Sequence, residues 1–404
     1  MAVQVKNFTH KEKILFFVIF FSLSVLSYFY MFRTYMFDYD VSYGDLKGQR
    51  IVCAYTLNGF DAYSFRGIET EAAPGLGVVG DGFHATPWGS LLGNVFYSGF
   101  LPSFEQSKIY YFIVSFIMLL MASYFFSREF EKISKEFMLI AFFVSITSLD
   151  FLVSVHMGNA GCDICALILI SWAVCDEHPY ISGILMGFAM IKPQTALLFC
   201  LTMLFMKKFI PLIVAAVIDI AAWLCTSILV NKGMFELLKE FFMSPDSQAM
   251  PHAGIFSLLS ENQYIAMIMS MILGIAFVLM ILKFLPKKVP DYFKIYPACI
   301  ATNFWCYMNI TEGYVLILPT VICLWIMANS QRKLERLFWL CCSIYCCFGI
   351  AIKSIIRRFL CFILTIDKLN LISIQLPKTL YEVGFILLGI LMAFELRKIY
   401  KEAE

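Results

Sequence analysis

The chain has 404 residues and a formal net charge of +2, with 60% hydrophobic, 17% aromatic and 15% charged residues. Soluble domains are about half apolar and about a quarter charged, so a mean hydropathy of +0.78 excludes an ordinary soluble core. It predicts an all-α, polytopic integral membrane protein. No basic stripe with interleaved aromatics is present, which argues against a nucleic-acid partner.

In chain order, the run Ile14–Tyr30 is long enough to span. It is followed by no small-residue cleavage site, so it reads as a first span and not as a cleaved signal. Lys6, Lys11 and Lys13 precede it, which places the N-terminus in the cytoplasm by the positive-inside rule. The stretch Asp38–Pro102 then lies outside, within a first extracytoplasmic loop over residues 32–107. It is the longest polar segment of the chain. Inside it, Pro87–Pro102 is apolar but broken by Gly and Pro, and it reads as a re-entrant or interfacial segment. Span two is expected at about Ile109–Phe126, followed by an inner loop with Arg128, Lys132 and Lys135. Span three runs to about Val155, His156–Gly161 is a short outer turn, and span four ends near Val174. CDEHPY, the next inner loop, carries no Lys or Arg.

From Tyr180 to Met206 an apolar run is interrupted by Lys192-Pro193-Gln194. Proline removes a backbone donor and breaks a helix, and a lysine at membrane depth needs a partner or a task. Two short helices meeting at this break are expected. A span at about Phe209–Val230 leads to a second outer loop, 231–262, rich in turn formers. Further spans end near Phe284 and Tyr307, with the inner PKKVPDYFK between them. An outer turn Met308–Gly313 precedes the span Tyr314–Ala328 and the basic inner loop SQRKLER. Leu337–Ile352 crosses outward, Lys353–Lys378 lies outside or on the membrane surface, and Tyr381–Glu395 returns to a basic tail. The total is about twelve transmembrane or re-entrant helices in one membrane-embedded domain, with both ends inside. Lys353, Arg357 and Arg358 are the exception to the charge asymmetry. The sequence shows no internal repeat.

The fourteen cysteines sit mostly in apolar runs and behave there as small hydrophobes. Cys162 and Cys165 form a C-x-x-C that reads as one turn of small residues on a span, not as a redox or metal motif.

An acidic residue after the first span, a G-x-D-x-Y segment, a proline-tryptophan return, a glycine-asparagine turn opening a helix and a lysine-proline break occur here in that order. They are Asp45 with NGFDAY, TPWGSLLGN with GFLP, HMGNAG, AMIKPQ, and CYMNITEGYVLILP. This ensemble resembles the multispan GT-C glycosyltransferases, specifically glycosyltransferase family 87. The chain departs from that pattern at Ala62, where the family often has Pro, and at Asn159, where it often has Gln. The resemblance implies transfer of a hexose or pentose from a polyprenyl-phosphate donor to a glycan or glycolipid acceptor. The reaction would occur on the extracytoplasmic side of the cell (inner) membrane, with an acidic base and neither cofactor nor metal.

Such a transfer needs a carboxylate to take the acceptor proton, a contribution of typically ~10²–10⁴-fold. Asp45, Asp40 and Asp38 compete for that role, although loop aspartates also cap helices. The leaving polyprenyl phosphate needs fixed cations in a partly dry site. Lys192 leads among these, followed by His252 and then Arg357 and Arg358. Asn159 and Gln194 are candidates to orient phosphate or sugar hydroxyls, and Asn309 and Glu312 to bind sugar. Asp61 and Tyr63 shape the first loop or touch substrate, and Arg66 and His84 contact the acceptor or a phosphate or are solvated at the surface. Two other readings stay open. One is a polysaccharide polymerase or ligase, which would be expected to place arginine pairs in a large loop nearer the C-terminal half. The other is a lipid-linked-sugar flippase or transporter, which would favour repeats and midplane charges.

Overall fold

The computed structural model describes residues 14, 17–22, 24, 25, 29, 44–62, 86–243, 255–258, 263–304, 310–348 and 371–402. Every element among them is helical. Among the described residues, four helices are long and apolar enough to cross a membrane: Phe104–Glu131, Phe209–Leu229, Ile265–Phe284 and Thr379–Lys401. Shorter apolar helices lie at Gly161–Val174, Pro179–Ala189, Pro193–Phe205 and Gly313–Asn329. The chain forms two compact units. One comprises Met1–Met31, Ala122–Asp150 and Pro251–Glu404; the other comprises Phe32–Met121 and Phe151–Met250.

In the second of these, the Phe209–Leu229 helix shows how the sequence sorts lipid from protein. Ile213, Val217, Ile220, Leu224 and Ile228 are exposed, while Pro211, Ala215, Ala222 and Thr226 are buried. The spacing of three to four residues puts bulky side chains on one face and small ones on the other. The small face packs on the Pro179–Ala189 helix. There a Cβ on Gly183 would come within 2.5 Å of Val214 Cβ. Gly187, one turn on, lies against Ile218 and Ala215. Small residues let two helices approach closely where lipid offers no hydrophobic drive to associate them.

The expected break at Lys192 is present. One helix stops at Ala189, Lys192 adopts φ −115°, ψ 83°, and a new helix opens with Pro193 in its first turn. The residue before proline is pushed out of the helical region by the ring, so the sequence itself sets this joint. Against it lies the proline-tryptophan segment: Trp88 Nε1 donates to the Met190 carbonyl at 2.8 Å. Pro87–Pro102 folds as two single-turn helices, Gly89–Leu92 and Asn94–Tyr97, and neither is long enough to cross.

Several expectations change. The loop over 32–107 contains a 14-residue helix, Gly44–Leu57, whose residues Ile51–Thr56 are buried. Its IVCAY core was masked by the surrounding charge. The next helix already starts at Phe104, inside the expected loop. Span three is two helices, Lys135–Ile146 and Leu149–Met157. The second outer loop carries an amphipathic helix, Met234–Met243. The expected span ending near Tyr307 holds only the six-residue helix Tyr296–Ala301 among its described residues. Residues 371–378 belong to the last helix, Leu371–Glu402.

The other unit is centred on Ile317–Asn329, buried along nearly its whole length. Trp325 contacts Phe293 and Tyr400, with ring centroids 5.6 and 5.8 Å apart. Tyr296 donates its hydroxyl to the Gly389 carbonyl at 2.9 Å, satisfying a buried phenol on the last helix.

Candidate functional site

The Gly44–Leu57 helix carries Asp45 in its first turn, half-buried. This helix is held from behind by Arg50, whose Nε donates to Ser107 Oγ at 2.8 Å and whose Nη2 donates to the Leu101 carbonyl at 2.5 Å. Asn159 Nδ2 donates to Asp45 Oδ2 at 2.6 Å. The Asn159 amide oxygen accepts from the Lys192 ammonium and from the Gly161 N–H, the latter at 2.9 Å. Three residues drawn from three separate parts of the sequence thus meet in one hydrogen-bonded chain, Lys192–Asn159–Asp45.

The turn that carries Asn159 is set by local chemistry. Gly158 has φ +68°, a region that L side chains enter at a cost of roughly 1–2 kcal/mol. A Cβ there would also collide with Leu46 Cβ and approach its backbone at 3.0–3.1 Å. Only glycine lets the turn lie flat on the first turn of the Asp45 helix. Ser154 then donates its hydroxyl to the Asn159 carbonyl and accepts the Cys162 N–H at 3.3 Å.

Behind the chain lies a carboxylate that the sequence reading passed over. Asp163, on the first turn of Gly161–Val174, is 1% exposed. Its Oδ2 accepts from Tyr111 Oη at 3.3 Å and from Ser115 Oγ at 3.1 Å. Tyr111 also reaches the Ser154 carbonyl at 3.3 Å, so the Phe104–Glu131 helix supports both the turn and the carboxylate. Tyr97 is buried as well. Asp163 stands inside the C-x-x-C turn, and an ionisable residue at the head of an apolar run was the signal that would have found it.

Asp61 takes part in a second cluster. It is buried and paired with Lys232, which also donates to Glu240 at 2.7 Å. Burial opposes the Lys232 charge, but the two carboxylates outweigh that effect and raise its proton affinity above the usual lysine value. Burial raises Glu240, with Lys232 opposing and Asp61 reinforcing the effect. This cluster ties the NGFDAY segment to the start and the middle of the 231–243 region.

Gln194 lies half-buried in the first turn of Pro193–Phe205, two residues from Lys192. Glu312 sits on the Ile310–Leu316 segment of the other unit, and its side chain lies outside the described residues. Asp38, Asp40, Tyr63, Arg66, His84, His252, Asn309, Arg357 and Arg358 all lie outside them.

Apolar helices of spanning length, together with a half-buried, charged, hydrogen-bonded cluster, define a membrane protein with a polar site. The family model of glycosyltransferase family 87 matches residues 86–350, well over half of the chain, and the chain belongs to that family. It is a membrane glycosyltransferase by family. The match includes Asn159, Asp163, Lys192 and Gln194, while Asp45 and Asp61 precede it. No curated protein and no solved structure matches the chain.

Proposed function

We propose that the chain transfers a hexose or pentose from a polyprenyl-phosphate donor to a hydroxyl of a glycan or glycolipid, with Asp45 as the base. The observation that carries this reading is the Lys192–Asn159–Asp45 chain, in which a carboxylate and a cation are held one amide apart. In the step, the acceptor O–H gives its proton to Asp45 as its oxygen bonds to the anomeric carbon. The bond from that carbon to the phosphate oxygen breaks, and the electron pair leaves with the polyprenyl phosphate. The leaving phosphate gains a negative charge, and a fixed cation beside the base is where that charge is stabilised. Lys192 supplies it, with Gln194 beside it for phosphate or sugar hydroxyls. Asn159 occupies one oxygen of Asp45 and leaves the other for the acceptor.

Sidedness follows from the basic loops: Lys6, Lys11 and Lys13 at one end and SQRKLER at the other point inward, and Asp45 outward. The alternatives of polymerase, ligase or flippase draw no comparable support from the described residues. Asp45→Asn keeps the shape and the Asn159 contact but removes the base. It is expected to lower transfer at least 10²-fold with the protein still inserted and monodisperse. Transfer within twofold of wild type in that variant would remove Asp45 as base.

A further inference from the structure

In the unit centred on Ile317–Asn329, a cavity of about 370 Å³ opens where that helix meets the start of Lys333–Cys347 and the end of the last helix. Ligand pockets span roughly 300–1,000 Å³. Two carboxylates, Glu335 and Glu395, and two cations, Arg332 and Lys398, line it. Opposite charges three residues apart on a helix are neighbours and can close on each other. Here they stay apart. Arg332 Nε stands 3.8 Å from Glu335 Oε1, beyond a hydrogen bond. Glu395 and Lys398, spaced the same way on the last helix, form no ion pair among the described residues. Asn329 and Ser330 continue the wall. Both donate back to their own helix, Asn329 Nδ2 to the Trp325 carbonyl at 2.8 Å and Ser330 Oγ to the Ile326 carbonyl at 2.9 Å. That leaves the Asn329 amide oxygen as a further acceptor.

The charges are also sorted by depth. Glu335 and Glu395 are half-buried, whereas Lys398 is exposed and the Arg332 side chain is 84% exposed. Acceptors therefore line the inside and cations the rim. We propose that this cavity binds an ammonium-bearing phosphate, the chemistry of a phosphoethanolamine group. The ammonium lies inward among Glu335, Glu395 and Asn329, and the phosphate lies between Arg332 and Lys398. A primary ammonium has three donors and no acceptor, which suits a wall of carboxylate and amide oxygens. The arginine fork suits a phosphate, and charge-assisted bonds of both kinds are the strong ones. A lone anion would meet the carboxylates and a lone amine would meet the cations; a ligand with both groups satisfies all four side chains. Beside the rim, Leu334, Leu337 and Phe338 are exposed on one face of the helix that begins at Lys333. Acyl chains of a phospholipid would lie there. The headgroup of phosphatidylethanolamine and free phosphoethanolamine are thus two sources of one chemistry. The site is separate from the Asp45 reading and does not depend on it.

The test uses the full chain in two arms. In the first, nanodiscs hold equal amounts of phosphatidylethanolamine, phosphatidylcholine and phosphatidylglycerol with the same acyl chains, and native mass spectrometry counts the lipids retained. Phosphatidylcholine keeps the phosphate and the positive charge but offers no N–H, and phosphatidylglycerol has no amine. Wild type is expected to retain phosphatidylethanolamine over both by about tenfold, the scale of a hydrogen bond to a charged group. Glu395→Gln should bring the ethanolamine-to-choline ratio to within about twofold. Lys398→Gln should lower retention of both lipids and leave their ratio in place. In the second arm, the Tm of detergent-solubilised protein is followed with O-phosphoethanolamine and, as control, phosphocholine. A rise with O-phosphoethanolamine alone, lost in Glu395→Gln, supports a free phosphoamine as ligand. The lipid preference without that rise supports the headgroup. Neither Glu395 nor Lys398 is paired, so both variants should match wild-type Tm without probe. No preference in either arm makes this a hydrated surface cavity and overturns the proposal. Retention of phosphatidylglycerol above phosphatidylethanolamine reduces it to the general attraction of basic residues for anionic lipid and overturns it as well. So does an ethanolamine preference that survives Glu335→Gln and Glu395→Gln together, because the amine would then be read elsewhere.

Discussion

An asparagine can present either end of its amide, and at Asn159 the surroundings decide which. The Gly161 N–H and the Lys192 ammonium can only donate, so the oxygen faces them and the nitrogen faces Asp45. The side chain is therefore an adaptor between a cation and an anion. Lys232 solves a similar problem without an adaptor. It pairs directly with Asp61 and Glu240, whose side chains are 6% and 30% exposed. Because its proton affinity is raised in the fold, its contribution to stability is fully present below the ordinary lysine value of 10.5 and is lost as pH rises through the higher folded value. Lys232→Met leaves two facing carboxylates. The loss should fall between the ~1 kcal/mol of an exposed pair and the ~3–5 kcal/mol of a buried pair broken on one side. Thermal unfolding should show wild type losing Tm above pH 10.5. The variant should start lower at pH 8 and recover as pH falls toward 5, where one carboxylate takes a proton. A variant whose Tm is lower by the same amount at every pH would mean that packing, not charge, holds this cluster.

At the scale of elements, the site is made by joints between helices, and those joints differ in how readable they were. The Lys192–Pro193 break could be read because proline geometry is local. The HMGNAG turn could be read as a turn, but its partner could not, because nothing in the sequence says that it lies on the first turn of a helix 114 residues earlier. That helix was itself hidden in a segment that looked polar. Asp163 was hidden for the opposite reason, a single carboxylate inside a run that looked uniformly apolar. The contact at Gly158 gives a direct test of the joint. Gly158→Ala adds one methyl at φ +68°, against Leu46. A misplacement of about 1 Å at a catalytic group can cost about 10²-fold. The expected result is a loss of transfer of at least tenfold, with Tm lowered by only a few degrees. A variant that transfers normally would show that the turn has no part in holding Asp45.

For the whole molecule, the proposed sidedness rests on the asymmetric placing of Lys and Arg along the sequence. Helices such as Phe209–Leu229, with isoleucine, valine and leucine exposed along one face, have no reason to keep that face except lipid. Once they span, the basic loops orient them, since each Lys or Arg left inside biases the crossing. Lys47 is exposed two residues from Asp45 on the same helix, and Arg332 is exposed just before the Lys333–Cys347 helix. The outward reading of the base therefore predicts opposite accessibility for these two positions. With a membrane-impermeant maleimide on intact cells, Lys47→Cys should label above the level of the unsubstituted chain. Arg332→Cys should label only after the membrane is opened. Both labelling from the outside would break the topology while leaving the Lys192–Asn159–Asp45 geometry intact. The reverse pattern would place Asp45 toward the cytoplasm. There a base would meet nucleotide-linked sugars as readily as lipid-linked ones, and the choice of a polyprenyl-phosphate donor would lose its physical basis.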